Sequence, residues 1–198
     1  MKRPFLDELY LVSVRKCRMS HVLSGLEQYL QAVAELSLTD RLRDLFAQEL
    51  LKAALDALEV VLLDGGNFRV FDLKDSLMLE RDLGKLQDLF FADGEGLEMG
   101  DIEALSQGVS SILTLLSVDT EAIIENFKEL HVRCSIVTVD WDGNRDPRKK
   151  LTEDPATFLR ILCHRGERNA TKFLKDAFPQ LETMAADESK IGRQRFQT

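Results

Sequence analysis

The sequence predicts an all-α protein, a bundle of about six to seven amphipathic helices. The first observation is composition. Only 4 of the 198 residues are proline, and leucine dominates the 44% that are hydrophobic, which favours helices over strands. The second is periodicity, because apolar residues recur three and four positions apart, as they do on one face of a helix. The third is that capping residues and glycines stand where these stripes start and stop.

The first helical region is predicted between residues 6 and 36. Its second half carries a regular stripe that includes Leu23, Leu26 and Leu30. A break is expected near Met19, because Ser20 is a residue type that favours the N-cap of a new helix.

The longest helix is predicted to follow a short connector at residues 38–40. Its apolar face is broad, and residues 60–63 are apolar on every side, so this end should be deeply buried. The triplet Asp64-Gly65-Gly66 is expected to end the helix, since glycine readily adopts the left-handed conformation that satisfies the last carbonyls. The predicted face comprises Leu42, Leu45, Phe46, Leu50, Ala53, Ala54, Ala57, Leu58, Val61 and Leu62.

The rest of the chain predicts shorter helices and two kinds of connection. Helices are expected at about residues 73–91, 100–116 and 119–130. Asp154-Pro155 is expected to open another, because Asp favours the N-cap and Pro the first helical position. A tight loop is expected at 92–97, an irregular loop at 133–153 and a last helix at 168–178. A polar, disordered tail is expected at 179–198, which leaves 1–178 as the helical bundle.

Charge and cysteine content exclude several classes of protein. A net charge of −8 argues against nucleic acid as a partner. The 3 cysteines are widely spaced and odd in number, so they predict reduced thiols and a cytosolic location. No apolar run approaches the roughly 20 residues that span a bilayer.

Basic residues gather at both ends, and they are either solvated or contact lipid or an acidic partner: Lys2, Arg3, Arg15, Lys16, Arg18, Lys190, Arg193 and Arg195.

The sequence indicates no catalytic, cofactor-binding or metal-binding residue. Two acidic loops, at 93–101 and 140–146, lack the spacing of oxygen ligands and glycine that a calcium loop requires. Cys163 and His164 are adjacent, which is not zinc-ligand spacing, and Cys163 is interpreted as a buried, inert thiol. The sequence therefore predicts that the protein is not an enzyme.

Three strings resemble one protein family, the plant Unc/Munc-related vesicle-priming proteins. The first string is Val61-Leu62-Leu63-Asp64-Gly65-Gly66 with Arg69 and Phe71. The second runs from Leu79-Glu80-x-Asp82-Leu83 to Asp93-Gly94-Glu95-Gly96-Leu97. The third is Leu159-x-x-Leu162-Cys163-His164-Arg165, followed by Lys172-Phe173-Leu174. Their order is similar to the C-terminal part of the family's MUN region, around the second Munc homology domain, over residues 42–178.

This resemblance implies stacked helical bundles like those of vesicle-tethering factors, and a part in exocytosis at the plasma membrane. Members of the family engage SNARE proteins or tethering factors. They are several times longer than this chain, and their SNARE-opening residues lie upstream of the matching region, so none is assigned here. The motif residues are interpreted as structural helix ends: Asp64, Gly65, Gly66, Asp93, Gly94, Glu95 and Gly96.

Two hypotheses of function follow. The first is a non-catalytic module that binds proteins in vesicle tethering and priming, cytoplasmic or peripheral at the plasma membrane or vesicles. The alternative is a structural domain that oligomerises through exposed stripes and is unrelated to trafficking. Most stripes are expected to be core, although part of one is alternatively an open seam for a partner helix.

Overall fold

The computed structural model describes residues 2–11, 13–16, 18–36, 39–65, 69–134 and 150–178. All the regular structure in these ranges is helical, so the predicted all-α class is confirmed. The α-helices are α1 (Lys2–Glu8), α2 (Met19–Glu35), α3 (Asp40–Asp64), α4 (Ser76–Phe91), α5 (Met99–Leu116), α6 (Thr120–Cys134), α7 (Pro155–Cys163) and α8 (Arg168–Ala177).

The first helical region is divided, which is why the described chain has one helix more than the upper end of the prediction. The break near Met19 is present, but Ser20 does not cap the second helix. Arg18 occupies the N-cap position of α2, and its side chain makes no capping hydrogen bond there. The side chain is instead drawn to a buried carboxylate on α4.

Helix α3 is the central element of the bundle, in contact with α1, α2, α5 and α7. The predicted deep burial of its C-terminal end is confirmed, since Val61 and Leu62 are fully buried and Leu63 is 2% exposed. The core continues onto the inward faces of the neighbouring helices, where Leu86, Ile102, Ile112, Ile123 and Ile161 have at most traces of exposed surface. One hydrophobic core therefore joins all the described helices.

The first half of α3 departs from the prediction. Leu42, Leu45 and Phe46 were expected in the core, yet they are 44%, 52% and 55% exposed. Helix α1 packs against α3 but has 7 residues against 25, so it cannot cover the full length of its neighbour. A short apolar patch, composed of Leu42, Leu45 and Phe46, is left on the surface.

The start of α7 follows the predicted capping chemistry. Asp154 has extended backbone angles and accepts a hydrogen bond from the amide of Ala156 at 3.1 Å, with Pro155 in the first turn. The side chain thus satisfies one of the amides that a helix start leaves unpaired.

No helix in the described ranges is both long and apolar enough to cross a membrane. Most of the predicted irregular loop (135–149) and the predicted tail (179–198) lie outside the described residues.

Candidate functional site

Arg69, just beyond the end of α3, is a buried arginine that caps helix α1. Its guanidinium donates to the carbonyl oxygens of Leu9 at 2.9 Å and Gly65 at 2.6 Å, and also to those of Phe5 and Leu6. The last carbonyls of a helix carry partial negative charge and lack intrahelical partners. A buried cation therefore fastens the C-terminal end of α1 to the C-terminal end of α3.

His164, just beyond the end of α7, joins the same region. Its ring nitrogen Nδ1 lies 2.8 Å from the carbonyl oxygen of Arg69, and Nε2 lies 3.0 Å from that of Leu63. The ring therefore lies between a carbonyl oxygen of the last turn of α3 and one of the chain that follows it, and links the end of α7 to both. The His164 carbonyl also accepts from the amide of Phe71 at 2.9 Å.

Arg165 performs the same role for α5. It is 4% exposed, and its Nη2 donates to the carbonyl oxygens of Leu116 at 2.6 Å and Val118 at 2.9 Å. Burial lowers the pKa of its guanidinium, and nearby carboxylates, with Glu167 first, oppose that effect. An arginine remains charged under these conditions, so it still complements the negative end of α5.

We call Arg69, His164 and Arg165 the cap cluster. Its members cap the C-terminal ends of α1, α3 and α5, and they bring together the first and third sequence motifs from positions 95 residues apart. Both motifs were recognisable in the sequence, but the contact between them was not predicted. One signal was available for Arg69, because it follows closely on the end of α3, where a cation complements the helix dipole.

The glycine motif after α3 has a different basis from the one expected. Helix α3 ends at the predicted triplet, and Gly65 has φ −68°, so Gly65 is not a left-handed residue. Space explains the residue instead, because a Cβ there would overlap the carbonyl oxygen of Val61 and lie 2.5 Å from Cδ of Arg69. Gly65 therefore leaves room for the cap cluster. Asp64 is exposed and 3.3 Å from Nε of Arg160, while Gly66 lies outside the described residues.

The second glycine motif does use left-handed backbone. Ala92 ends α4 with φ 47°, and Asp93 and Gly94 continue with φ 55° and 94°. A Cβ at Gly96 would overlap the carbonyl oxygen of Phe90. The side chains of Ala92, Asp93 and Glu95 are exposed, whereas that of Leu97 is buried. The structure thus places these motif residues in the tight connection between α4 and α5.

Asp82, also in the second motif, is fully buried on α4 and anchors the connection from α1 to α2. It accepts from Nη2 of Arg18 at 2.6 Å, the hydroxyl of Tyr10 at 3.1 Å and the amide of Met19 at 3.5 Å. Burial, with the charge of Asp82, raises the pKa of Tyr10 well above 10. Arg18 was expected among the solvated or lipid-binding basic residues. It is instead an ion-pair partner, because Asp82 requires a cation.

The adjacent pair Cys163 and His164 is not arranged for nucleophilic catalysis. Cys163 was expected to be buried, but α7 turns it to the surface, where it is exposed. The protein around it is still dense enough to raise the pKa of the thiol. His164 points into the core with both nitrogens on carbonyls, so it is not available to take a proton from the thiol. No metal-binding group of three or more His, Cys, Asp or Glu residues occurs within the described ranges.

A surface groove of about 600 Å³ opens on another side of the bundle, and we call it the α2–α3 groove. It lies between the last turns of α2, the first turns of α3 and the loop after α4. Its floor is apolar, with Leu30, Val33, Ala47 and Leu89 among the half-buried side chains. Glu95 of the second motif stands at its rim. A volume in the range of about 300–1,000 Å³ is typical of protein sites that bind a ligand.

Comparison with known proteins assigns the chain to a family. The family described as "PATROL1-like, TPR repeats" matches residues 1–183. The chain belongs to this PATROL1-like family. It is also 32% identical over 178 residues to an Arabidopsis thaliana protein named "Protein unc-13 homolog". The resemblance predicted from the three motifs is therefore confirmed.

That alignment covers 90% of this chain and 15% of the Arabidopsis relative. The chain thus spans less than a sixth of the length of the protein that it matches. No solved structure matches the chain significantly. The family of the chain is therefore established, whereas the activity of the much longer relative is not transferred to it by this match.

Replacing His164 with alanine should destabilise the fold. The change removes the ring that contacts the carbonyl oxygens of Leu63 and Arg69, and a buried carbonyl left without its donor costs about 1–3 kcal/mol. Urea unfolding followed by circular dichroism measures the loss. Cys163→Ala is the matched control, since the neighbouring side chain is exposed, and it should change the unfolding free energy by less than about 0.5 kcal/mol. Equal losses in the two variants would contradict the role of the cap cluster.

Tyr10 should make the free energy of unfolding decrease as the pH rises above about 10. Because its pKa is raised in the folded state, its contribution is fully present below pH 10 and is lost as the pH rises from the unfolded pKa of about 10 towards the folded one. Tyr10→Phe should lose about 1 kcal/mol at pH 8 and show a shallower decline above pH 10. The control is Tyr29→Phe, at a tyrosine that is 60% exposed. Parallel pH profiles for wild type and Tyr10→Phe would refute the assignment.

Proposed function

We propose that the chain is a non-catalytic protein-interaction module in vesicle tethering and priming, acting in exocytosis at the plasma membrane. Its partners would be SNARE proteins or tethering factors, and its location cytoplasmic or peripheral at the plasma membrane or vesicles. The observation that carries the proposal is the similarity, along 90% of the chain, to a protein named as an unc-13 homolog. The family match over residues 1–183 supports it independently.

The roles of the reactive side chains support a module that acts by contact. The histidine of the Cys163-His164 pair is committed to carbonyl oxygens in the core, and the buried Asp82 is committed to Arg18 and Tyr10. These groups stabilise the bundle, and what remains available to a partner is its surface.

Direct binding tests the proposal. The purified chain, immobilised, should retain at least one member of a panel of purified SNARE cytosolic domains and tethering-complex subunits. An unrelated helical protein of similar net charge controls for charge-driven adsorption. Failure to retain any of them, by a chain that is helical and unfolds cooperatively, would sink the proposal.

One observation favours the alternative of a structural oligomerisation domain. Leu42, Leu45 and Phe46 form an exposed apolar patch on α3, and exposed patches are used for association. Three side chains supply only part of the roughly 1,200–2,000 Å² that a stable interface buries, so the patch alone makes a weak dimer.

We therefore expect a monomer at micromolar concentration, measured by light scattering. The matched variant replaces Leu42, Leu45 and Phe46 with glutamine, and it should scatter like the wild type. A dimer that becomes a monomer in this variant would favour oligomerisation over the trafficking module.

A further inference from the structure

The rim of the α2–α3 groove is much more acidic than the chain as a whole. Four carboxylates line it, Glu27, Asp40, Asp44 and Glu95, against one guanidinium, that of Arg43, so the lining carries a charge of −4 + 1 = −3. Arg43 is itself paired with Asp40. The whole chain has 34 acidic and 26 basic residues, a far smaller excess. The general acidity of the protein therefore does not account for the charge at this groove.

The floor of the groove is apolar and incompletely covered. Leu30 and Val33 of α2, Ala47 of α3 and Leu89 of α4 line it and remain partly accessible. Phe90 and Leu97 close it from below and are buried. Removing such a surface from water stabilises a complex by roughly 25 cal/mol per Å² of apolar area.

The shape of the walls selects a helical ligand. Helices α2 and α3 bound the groove, and a helix offers no unpaired backbone edge to which an extended peptide could add as a strand. An apolar channel between helices accommodates the apolar side of an amphipathic helix. Acidic groups along the rim then pair with basic residues that flank the apolar stripe of the ligand.

We propose that the α2–α3 groove is the docking site for a basic amphipathic helix of a partner protein. This inference rests on the proposed function and identifies the surface through which the module would work. The acidic rim increases the association rate of a basic helix and repels acidic helices. The apolar floor provides the surface that the helix buries.

The first experiment uses two synthetic peptides of about 18 residues, each roughly 27 Å long as a helix. Both carry the same leucine stripe, flanked by lysine in one peptide and by glutamate in the other. Fluorescence anisotropy should show binding of the lysine peptide alone. Raising the salt from about 50 to 300 mM should weaken that binding several-fold, because salt screens exposed charges.

Matched variants then locate the binding. The triple variant Glu27→Gln, Asp44→Asn and Glu95→Gln should weaken the lysine peptide at least about tenfold. A control with the same change in net charge, E80Q/E103Q/E125Q, replaces exposed carboxylates outside the groove lining and should bind as the wild type does. Ala34→Trp fills the groove without changing its charge and should also abolish binding. Thermal unfolding of each variant verifies that it is folded.

The outcomes separate this inference from the proposed function. Equal binding of both peptides, equal weakening in the two triple variants, or no binding at all overturns the groove assignment. Self-association that only the groove variants abolish would assign the groove to a second copy of the chain, and also overturns it. If the groove variants still retain the SNARE or tethering partner of the wild-type chain, the groove assignment fails and the proposed function stands. If no such partner binds while the lysine peptide does, the reverse holds.

Discussion

The bundle depends on buried basic side chains at the ends of its helices. Helices α1, α3 and α5 end in one region, and each end presents carbonyl oxygens that no residue of the same helix can satisfy. Arg69 and Arg165 supply donors and positive charge to the ends of α1 and α5, and the ring of His164 contacts a carbonyl oxygen in the last turn of α3. An unpaired buried carbonyl and an unpaired buried cation are each costly, so the helix ends and the cap cluster stabilise the fold only together.

A buried anion, the carboxylate of Asp82, holds a second set of contacts between helices. Asp82 is an anion on α4 that gathers the cation of Arg18, the hydroxyl of Tyr10 and the amide of Met19. It fixes where the chain leaves α1 and where α2 begins. The direction of α2 in turn sets one wall of the α2–α3 groove. A buried carboxylate in the core thus contributes to the shape of a surface.

Periodicity predicted most of the fold, because burial of one face requires apolar residues at helical spacing. The start of α7 followed from local capping chemistry in the same way. What failed depended on distant partners. The spacing of Leu42, Leu45 and Phe46 matches that of buried residues, yet no described helix covers them and they are exposed. The groove was not predicted for the same reason, since its walls come from three segments that periodicity treats separately.

The way in which Arg69 holds α1 bears on how freely that helix can change in sequence. The guanidinium contacts the main-chain oxygens of Phe5, Leu6 and Leu9, and every amino acid supplies such an oxygen. Only the inward positions, such as Phe5 and Leu9, are specified by packing. Outward positions of α1 are therefore open to substitution without loss of its anchor. A helix held in this way can remain in place while its outward residues are replaced.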